Sequence, residues 1–316
     1  MNLGNGNIMY ISALAGFISL VITFILLIIP FGFLPKDKGR EYAVNGSLSK
    51  GKTRGVGLLI VIGYIVASLI TDGLFFGFSS EKLIYIALIF LMMLSGYLDD
   101  ASLIPWSDYK KGAIDFTLAV IAAVVFVIYN DPTISLFGYV IVLPKVVYAV
   151  LAVILIWMSI NVTNCSDGVD GLCANVSIVS LISFAVICFA ELGNNAVMCS
   201  IMSGALIAYL FFNTSPSTML MGDAGSRAIG FLLALVAMKS GRPILWLPLV
   251  FVMLIDGGLG LAKVFLLRFL KIHILKNTRT PIHDHLRKNK NWSDAQVVYR
   301  FVLIQIIICV VVYLLV

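Results

Sequence analysis

Ten apolar segments, most of them close to the roughly 20 residues that a helix needs to cross a bilayer, constrain this fold more than any other feature. Of the 316 residues, 60% are hydrophobic and only 12% are charged, about half the charged share of a typical soluble domain. A water-soluble fold cannot cover that much apolar side chain. We therefore predict an all-α polytopic membrane protein, formed by one integral membrane domain over residues 1–316. The ten segments are Ile8 to Phe33, Gly55 to Phe78, Leu83 to Leu98, Ala113 to Tyr129, Val146 to Ile160, Leu172 to Leu192, Ala196 to Phe212, Ala224 to Ser240, Pro243 to Phe269, and Val297 to Val316.

Two segments depart from a plain helical span. The ninth is long and contains Gly257, Gly258 and Gly260, which predict that it is broken or bent. Residues 130–144, between the fourth and fifth segments, alternate polar and apolar side chains around a glycine. This pattern predicts a short hairpin outside the membrane.

The basic residues predict the orientation of the chain. Even-numbered loops hold only Lys82, Lys145, Lys239 and Arg242, whereas all other clusters fall in odd-numbered loops or at their membrane edges. Because cytoplasmic loops carry an excess of lysine and arginine, we expect the odd loops to be cytoplasmic and both termini external. The net charge of +6 follows from this bias, and no segment has the form of a nucleic-acid-binding module. The odd-loop basic residues are Lys36, Lys38, Arg40, Lys50, Lys52, Arg54, Lys110, Lys111 and those between Arg268 and Arg300.

Polar clusters near membrane segments indicate function, because charged groups are costly there. Four such clusters all fall in odd-numbered loops, which predicts a single polar site on the cytoplasmic surface. The clusters are Asp99-Asp100, the run from Asn164 to Gly171 that includes Asp167, Gly168 and Asp170, the bridge from Asn213 to Asp223, and His283-Asp284-His285.

Each carboxylate cluster has a functional and a purely structural interpretation. Asp99 and Asp100 point about 100° apart on a helix and would face different partners, or they simply mark a solvated helix end. Asp167 and Asp170 share one face if a helix has begun there, or they belong to an ordinary turn. Asp223 could bind a metal or act as a helix N-cap.

The residue types favour a magnesium site over a zinc site. Hard oxygen ligands beside a diphosphate suit Mg²⁺, which commonly takes one or two carboxylates and completes its shell with phosphate oxygens and water. His283 and His285 lack the partners that a closed zinc site needs. As alternate residues of an extended loop near Arg279 and Arg287, they predict donors to phosphate, with solvated surface histidines as the alternative.

These motifs resemble the polyprenyl-phosphate N-acetylhexosamine-1-phosphate transferases over nearly the whole chain. The resemblance lies in Gly-Tyr-Leu-Asp-Asp ending at Asp100, Asn-Cys-Ser-Asp-Gly-Val-Asp-Gly from Asn164, and Met-Gly-Asp-Ala-Gly-Ser from Met221. Thr-Pro-Ile-His-Asp-His ending at His285 is similar to the muramoyl-pentapeptide branch of this family. The chain departs from the family pattern at Asp284, at Leu220 and in the segment from Gly51 to Gly57.

The resemblance implies ten transmembrane helices and Mg²⁺-dependent transfer of phospho-N-acetylmuramoyl-pentapeptide from UDP to undecaprenyl phosphate. The products would be lipid I and UMP, made for peptidoglycan synthesis at the bacterial inner membrane, with a homodimer as a further expectation. By motif, Asp223 would be the metal ligand, and Asp99 and Asp100 the catalytic acid pair. The expected substrate contacts are Asn164, Asp167, Gly168, Asp170 and Asn213 at the nucleotide, Lys111, His283 and His285 at phosphate, and Lys50 or Lys52 from the first cytoplasmic loop.

Other functions remain open at the level of sequence. An N-acetylglucosamine-1-phosphate transferase would share the fold and most motifs. A secondary transporter would also have many spans and polar residues, but its ionisable groups should lie deep in related halves of the chain. A non-catalytic scaffold would leave the four polar clusters without a role.

Overall fold

The protein is predominantly helical in a computed structural model that describes residues 5–39, 49–136 and 138–316. Seven helical segments in this described part are long and apolar enough to cross a membrane, which confirms the all-α polytopic class. They are Gly6–Ile28, Gly57–Phe76, Ser80–Ala101, Asp108–Tyr129, Lys145–Cys165, Phe189–Asn213 and Asp294–Leu315. In chain order the helices are α1 (Asn5–Ile28), α2 (Gly57–Thr71), α3 (Ser80–Ala101), α4 (Asp108–Tyr129), α5 (Lys145–Cys165), α6 (Leu172–Ile187), α7 (Phe189–Leu192), α8 (Ala196–Asn213), α9 (Gly222–Lys239), α10 (Trp246–Leu249), α11 (Phe251–Met253), α12 (Leu259–Phe265), α13 (Ile282–Lys290) and α14 (Asp294–Leu315).

The other three predicted spans are helical, but each departs from a long, straight apolar helix in its shape, length or charge. Residues Pro243–Leu249 and Phe251–Leu270 form a bent pair that meets at 70°. Helix α6 has only 16 residues, and α9 carries Asp223, Arg227 and Lys239. The exact number of ten membrane-spanning helices therefore stays a prediction.

The break in the ninth segment lies at Val250, earlier than the glycines predicted. Gly257 and Gly258 instead fall in a π-helical turn. Gln305 of α14 satisfies the backbone at the break: its Nε2 donates to the carbonyls of Pro248 and Leu249, and its Oε1 accepts from the Val252 amide. Such pairing is what allows interrupted backbone inside a membrane, where no water is present to replace lost hydrogen bonds.

The hairpin predicted between the fourth and fifth segments is confirmed. Strands β1 (Thr133–Leu136) and β2 (Tyr139–Val142) pair antiparallel, with Thr133 opposite Val142. Gly138 adopts φ +81°, a conformation that suits glycine in the turn. The Ser135 amide donates to the carbonyl of Gly241, just after α9 ends. The hairpin thus lies at the end of the bundle where α9 finishes.

Helix α9 is the centre of the bundle. Every residue from Gly222 to Met238 is buried, and the helix packs mainly against α3 and α5. Glycines make the close approach possible: a Cβ at Gly57 would lie 2.0 Å from the Gly225 nitrogen, and one at Gly96 would lie 2.4 Å from the Asp223 carbonyl carbon. The charged side chains of α9 therefore face protein, and the first of them lies where α3 ends and α4 begins.

Candidate functional site

The two adjacent carboxylates at the end of α3 contact different residues of the protein. Asp99 accepts a hydrogen bond from the Trp106 amide at 2.8 Å and pairs with Lys111. Asp100 accepts from Arg54 Nε at 2.8 Å and from the Ala224 amide at 3.2 Å. Both oxygens of Asp100 are engaged, and its side chain is completely buried.

Lys111, in the first turn of α4, joins two of the predicted acids. Its Nζ pairs with Asp99 and lies 3.1 Å from Asp223 Oδ2. Hydrogen bonds between ionised groups are shorter and stronger than neutral ones. The lysine of α4 therefore links the end of α3 to the start of α9.

Arg54 is a site residue that the sequence analysis missed, because it was counted only as a charge that indicates orientation. It donates to Asp37 and Asp100, and its Nη2 lies 3.7 Å from Asp223 Oδ1. Burial alone would lower the pKa of the guanidinium, but Asp100 and Asp223 outweigh burial and raise that pKa above its ordinary value. The sequence signal for Arg54 is its place in the segment from Gly51 to Gly57, directly before an apolar segment.

Asp223 lies in the first turn of α9 and is not its N-cap. The cap residue is Met221, which makes no side-chain capping hydrogen bond. Asp100 takes that place from α3 by accepting from the Ala224 amide, and negative charge is favourable at a helix N-terminus. Gly222 has φ +67°, and a Cβ there would lie 2.2 Å from Asp100 Oδ2, so the position requires glycine.

The run from Asn164 to Gly171 closes one side of the site. Helix α6 begins only at Leu172, so Asp167 and Asp170 lie in a loop and not on one helical face. Asp170 accepts from the Ser217 amide at 2.9 Å. Asn164 donates to Ser226 at 2.9 Å, which places it beside the first turn of α9.

Asn213 holds this loop in place through backbone contacts. Its Oδ1 accepts from the Gly171 amide, and its Nδ2 donates to the Met219 carbonyl, each at 2.8 Å. Both polar groups of this buried side chain are thereby occupied. The structure gives Asn213 the geometry of a residue that positions the loop.

The structure separates the two first-loop lysines. Lys52 donates to Ser217 at 2.9 Å and lies 3.6 Å from Asp170, whereas Lys50 is exposed and has no polar side-chain partner among the described residues. Lys52 is therefore the lysine at the edge of the site. Arg40 lies outside the described residues.

The late histidines lie on a helix, which corrects the prediction of an extended loop. Both belong to α13, so they face different surroundings. His283 is buried, and a Cβ at Gly168 would lie 2.3 Å from its Nε2. His285 is half-buried, and its Nδ1 accepts from the Arg279 amide at 3.3 Å. Two features favour this helix: Pro281 lies directly before its first residue, and basic residues fill its last turn.

Asp256 is a second residue that the sequence analysis missed. It is buried in the π-helical turn of the ninth segment, and its two oxygens meet the backbone amide and Nδ1 of His283, each at 2.8 Å. A carboxylate on one ring nitrogen fixes the tautomer and orientation of the imidazole. Asp256 thus aims the other nitrogen of His283 towards Gly168. A lone acid in an apolar segment was the available signal.

The site combines anion-binding cations with hard oxygen ligands at one end of the bundle. Asp99, Asp100 and Asp223 surround Lys111 and Arg54, with Lys52 and Asp170 beside them. No group of three or more His, Cys, Asp or Glu side chains within residues 5–39, 49–136 and 138–316 is arranged to hold a metal ion alone.

Comparison with known proteins gives one family and a consistent set of relatives. The profile of glycosyl transferase family 4 matches residues 82–241. The phospho-N-acetylmuramoyl-pentapeptide-transferase of Treponema pallidum (strain Nichols) is 37% identical over 331 residues, covering 94% of this chain and 86% of the relative. The protein of the same name from Lactobacillus acidophilus is 31% identical and covers 98% of both chains. That of Wolbachia pipientis wMel is 28% identical over 77% of this chain and 79% of the relative.

Proposed function

The chain belongs to the glycosyl transferase family 4, and we propose that it transfers phospho-N-acetylmuramoyl-pentapeptide from UDP to undecaprenyl phosphate. The products are lipid I and UMP, for peptidoglycan synthesis. The observation that carries this proposal is the convergence of Asp99, Asp100 and Asp223 on Lys111 and Arg54, in a chain whose relatives bear the name of this transferase. Phosphoryl transfer between charged substrates depends chiefly on such positioning and charge neutralisation.

Asp223 is the residue we propose to hold Mg²⁺. The donor set fits this ion, because the carboxylate oxygens of Asp223 and Asp99 meet at Lys111 and are hard ligands of the kind that Mg²⁺ prefers. When bound, Mg²⁺ supplies positive charge to the donor diphosphate. Lys111 and Arg54 lie beside the two different oxygens of the Asp223 carboxylate. These two cations would bind the phosphate oxygens that the metal leaves free.

The remaining predicted residues divide into substrate contacts and supports. Asp167, Asp170 and Lys52 line the loop edge where we place the uridine nucleotide. His283 and His285 would donate to phosphate from α13. Gly168 allows the ring of His283 to approach the loop closely, and Asn213 keeps that loop attached to the start of α9.

The acceptor reaches the site from the bilayer, because its polyprenyl tail stays in lipid. The bent ninth segment offers an entry beside the site: Val264, Phe265 and Phe269 are more than half exposed in the described structure. In a membrane, hydrocarbon would cover these side chains. We propose that the acceptor phosphate enters here and meets the α3 carboxylates.

We further propose that the site faces the cytoplasm of a bacterial inner membrane, with both chain termini outside. Described basic residues of the odd-numbered loops, among them Lys38, Arg54 and Lys111, lie at the same end of the bundle as Asp99 and Asp223. Because basic residues favour the cytoplasmic side, we assign this end to the cytoplasm, the compartment of UDP-sugars. A single cysteine at Ser293 in a cysteine-free background should be shielded from an impermeant thiol reagent in intact cells, whereas one at Tyr139 in the hairpin should react. The opposite labelling would overturn this orientation.

The function is tested with purified protein, undecaprenyl phosphate and Mg²⁺, incubated in turn with UDP-N-acetylmuramoyl-pentapeptide and UDP-N-acetylglucosamine. We expect UMP release only with the first donor, and only when the acceptor is present. Release with the second donor alone would identify an N-acetylglucosamine-1-phosphate transferase. No release with either donor would be the result expected of a transporter or scaffold.

A further inference from the structure

A buried ion pair, Asp115 of α4 with Arg227 of α9, lies one helical turn below the site. Asp115 is 3% exposed and Arg227 is 2% exposed, and both belong to membrane segments. Moving two charged side chains from water into the protein interior costs free energy, even when the two charges form a pair. None of the roles proposed above accounts for them.

The pair continues the site along the same two helices. Lys111 and Asp115 are four residues apart on α4, and Asp223 and Arg227 are four residues apart on α9, so each pair occupies one helix face. Lys111 contacts Asp223 in the upper row, and Asp115 contacts Arg227 in the lower row. Positive and negative charges therefore alternate along each helix and also between the two helices. The four side chains form a square in which every neighbour of a cation is an anion.

Helices α4 and α9 make little direct contact and are placed next to each other through their shared neighbours α3 and α5. Helix α4 packs mainly on α5 and α3, and α9 packs mainly on α3 and α5. The long side chains of the square bridge the two helices. The two ion pairs therefore form the direct polar link between α4 and α9 near the site.

We propose that Asp115 and Arg227 are a positioning pair, which holds Lys111 against Asp223 and so presents both groups in register to the donor diphosphate. The proposal rests on the proposed function only for its catalytic consequence. Asp115 is the contact that orients the guanidinium, because within the described residues Nε and Nη1 of Arg227 have no hydrogen-bond partner.

The first experiment replaces the pair by apolar side chains, Asp115→Leu with Arg227→Met. Exchange of a whole buried pair for packed apolar groups commonly preserves stability. We expect a folded protein whose kcat for UMP release falls about 10- to 100-fold, the usual effect of losing a supporting contact. If this variant does not fold, Asp115→Asn with Arg227→Gln keeps a neutral hydrogen-bonded pair and carries the same expectation. Wild-type kcat in the folded variant would overturn the proposal.

The matched control is Glu81→Gln with Lys239→Met. Lys239 also belongs to α9 and pairs with Glu81 at 2.7 Å, but at the end of the bundle far from the site. This control should leave kcat unchanged. An equal loss in both double variants would show a general effect of removing ion pairs on α9 and would overturn the positioning role.

Charge reversal separates positioning from simple structural support. Asp115→Arg with Arg227→Asp rebuilds the lower ion pair but places Arg beside Lys111 and Asp beside Asp223, and like charges four residues apart repel. We expect reversal to leave kcat at least as low as in the apolar variant. Recovery of kcat would mean that any ion pair at these two positions is sufficient. That result would contradict the role we propose for the alternating charges of the square.

A last measurement does not depend on transferase activity. Lys111 is partly accessible, with 29% of its side chain exposed, so an acetylating reagent can reach its amine. We expect its labelling rate, followed by peptide mass spectrometry, to rise severalfold in the apolar double variant and to stay constant in the control. An unchanged rate would overturn the proposal, whereas a raised rate in a protein without UMP release would count only against the proposed function.

Discussion

Arg54 and Asp100 form a charge-assisted hydrogen bond, from Nε to Oδ1 at 2.8 Å, that ties the segment before α2 to the end of α3. Through this contact a loop residue orients a carboxylate that no water reaches, and the same carboxylate caps α9 at Ala224. The guanidinium of Arg54 therefore connects the segment before α2, the end of α3 and, through Asp100, the start of α9.

The first prediction follows from this contact. Arg54→Met should lower kcat for UMP release about 10- to 100-fold, the range for a group that supports a metal or phosphate site. Arg54→Lys should recover only part of the loss, because one ammonium cannot repeat the fork geometry of a guanidinium. Lys36→Met is the matched control, since Lys36 is exposed and, among the described residues, its ammonium group hydrogen-bonds to Thr53. Equal activity of Arg54→Met and the control would exclude Arg54 from the site.

The second prediction concerns Asp223. Asp223→Asn should lower turnover about 1000-fold, the scale of losing one major electrostatic stabiliser, while the detergent-solubilised protein still unfolds at the wild-type temperature. Asp108→Asn removes an exposed carboxylate near the start of α4 and should have no such effect. Near-normal turnover of Asp223→Asn with Mg²⁺ would remove this residue from the proposed metal site.

The third prediction concerns the contact between Asp256 and His283. Asp256→Asn should lower kcat about 10- to 100-fold, because His283 would lose the carboxylate that orients its ring. His283→Gln should add little to that loss, since residues that act as a unit are not additive. His273→Gln provides an exposed-histidine control. Fully additive losses in the double variant would show that Asp256 acts without His283.

The features predicted correctly from the sequence are those that depend on local pattern. Apolar length identified the helical class, and the glycine-centred alternation identified the hairpin. The divergence of Asp99 and Asp100 follows from helical geometry alone. These results need no knowledge of which helices are neighbours.

The features that were missed or wrong depend on tertiary contacts. The break at Val250 relies on Gln305, which is 55 positions later in the chain, so the glycines were a misleading local signal. Arg54 and Asp256 gain their roles from partners on other helices. The helical form of the His283 segment was missed because alternate histidines were read as a loop pattern, although Pro281 and the following basic residues match a helix start and end.

The fourth prediction tests the close packing that places Asp223. Gly96→Ala should destabilise the protein by about 1–3 kcal/mol, the usual cost of overpacking, because the added Cβ would lie 2.4 Å from the Asp223 carbonyl. Gly112→Ala in α4 is the control: nothing lies within 4 Å of its added Cβ, so the change should stabilise the helix by about 0.5–1 kcal/mol. Thermal unfolding in detergent measures both. Equal unfolding temperatures would contradict the close approach of α3 and α9.

The fifth prediction distinguishes direct transfer from a covalent phospho-sugar enzyme. Both carboxylates of α3 are already held by cations and backbone amides, a geometry that suits orienting the acceptor better than attacking phosphorus. The acceptor phosphate is itself a competent nucleophile, because a second pKa of roughly 6, by analogy with phosphoserine, leaves it mostly ionised at neutral pH. We therefore expect that enzyme freed of lipid, incubated with UDP-N-acetylmuramoyl-pentapeptide, Mg²⁺ and labelled UMP, moves no label into the donor until undecaprenyl phosphate is added. A covalent step would break the donor diphosphate and release UMP without acceptor, so label would exchange at once. Acceptor-independent exchange that disappears in Asp99→Asn or Asp100→Asn would reject direct transfer and identify that residue as the nucleophile.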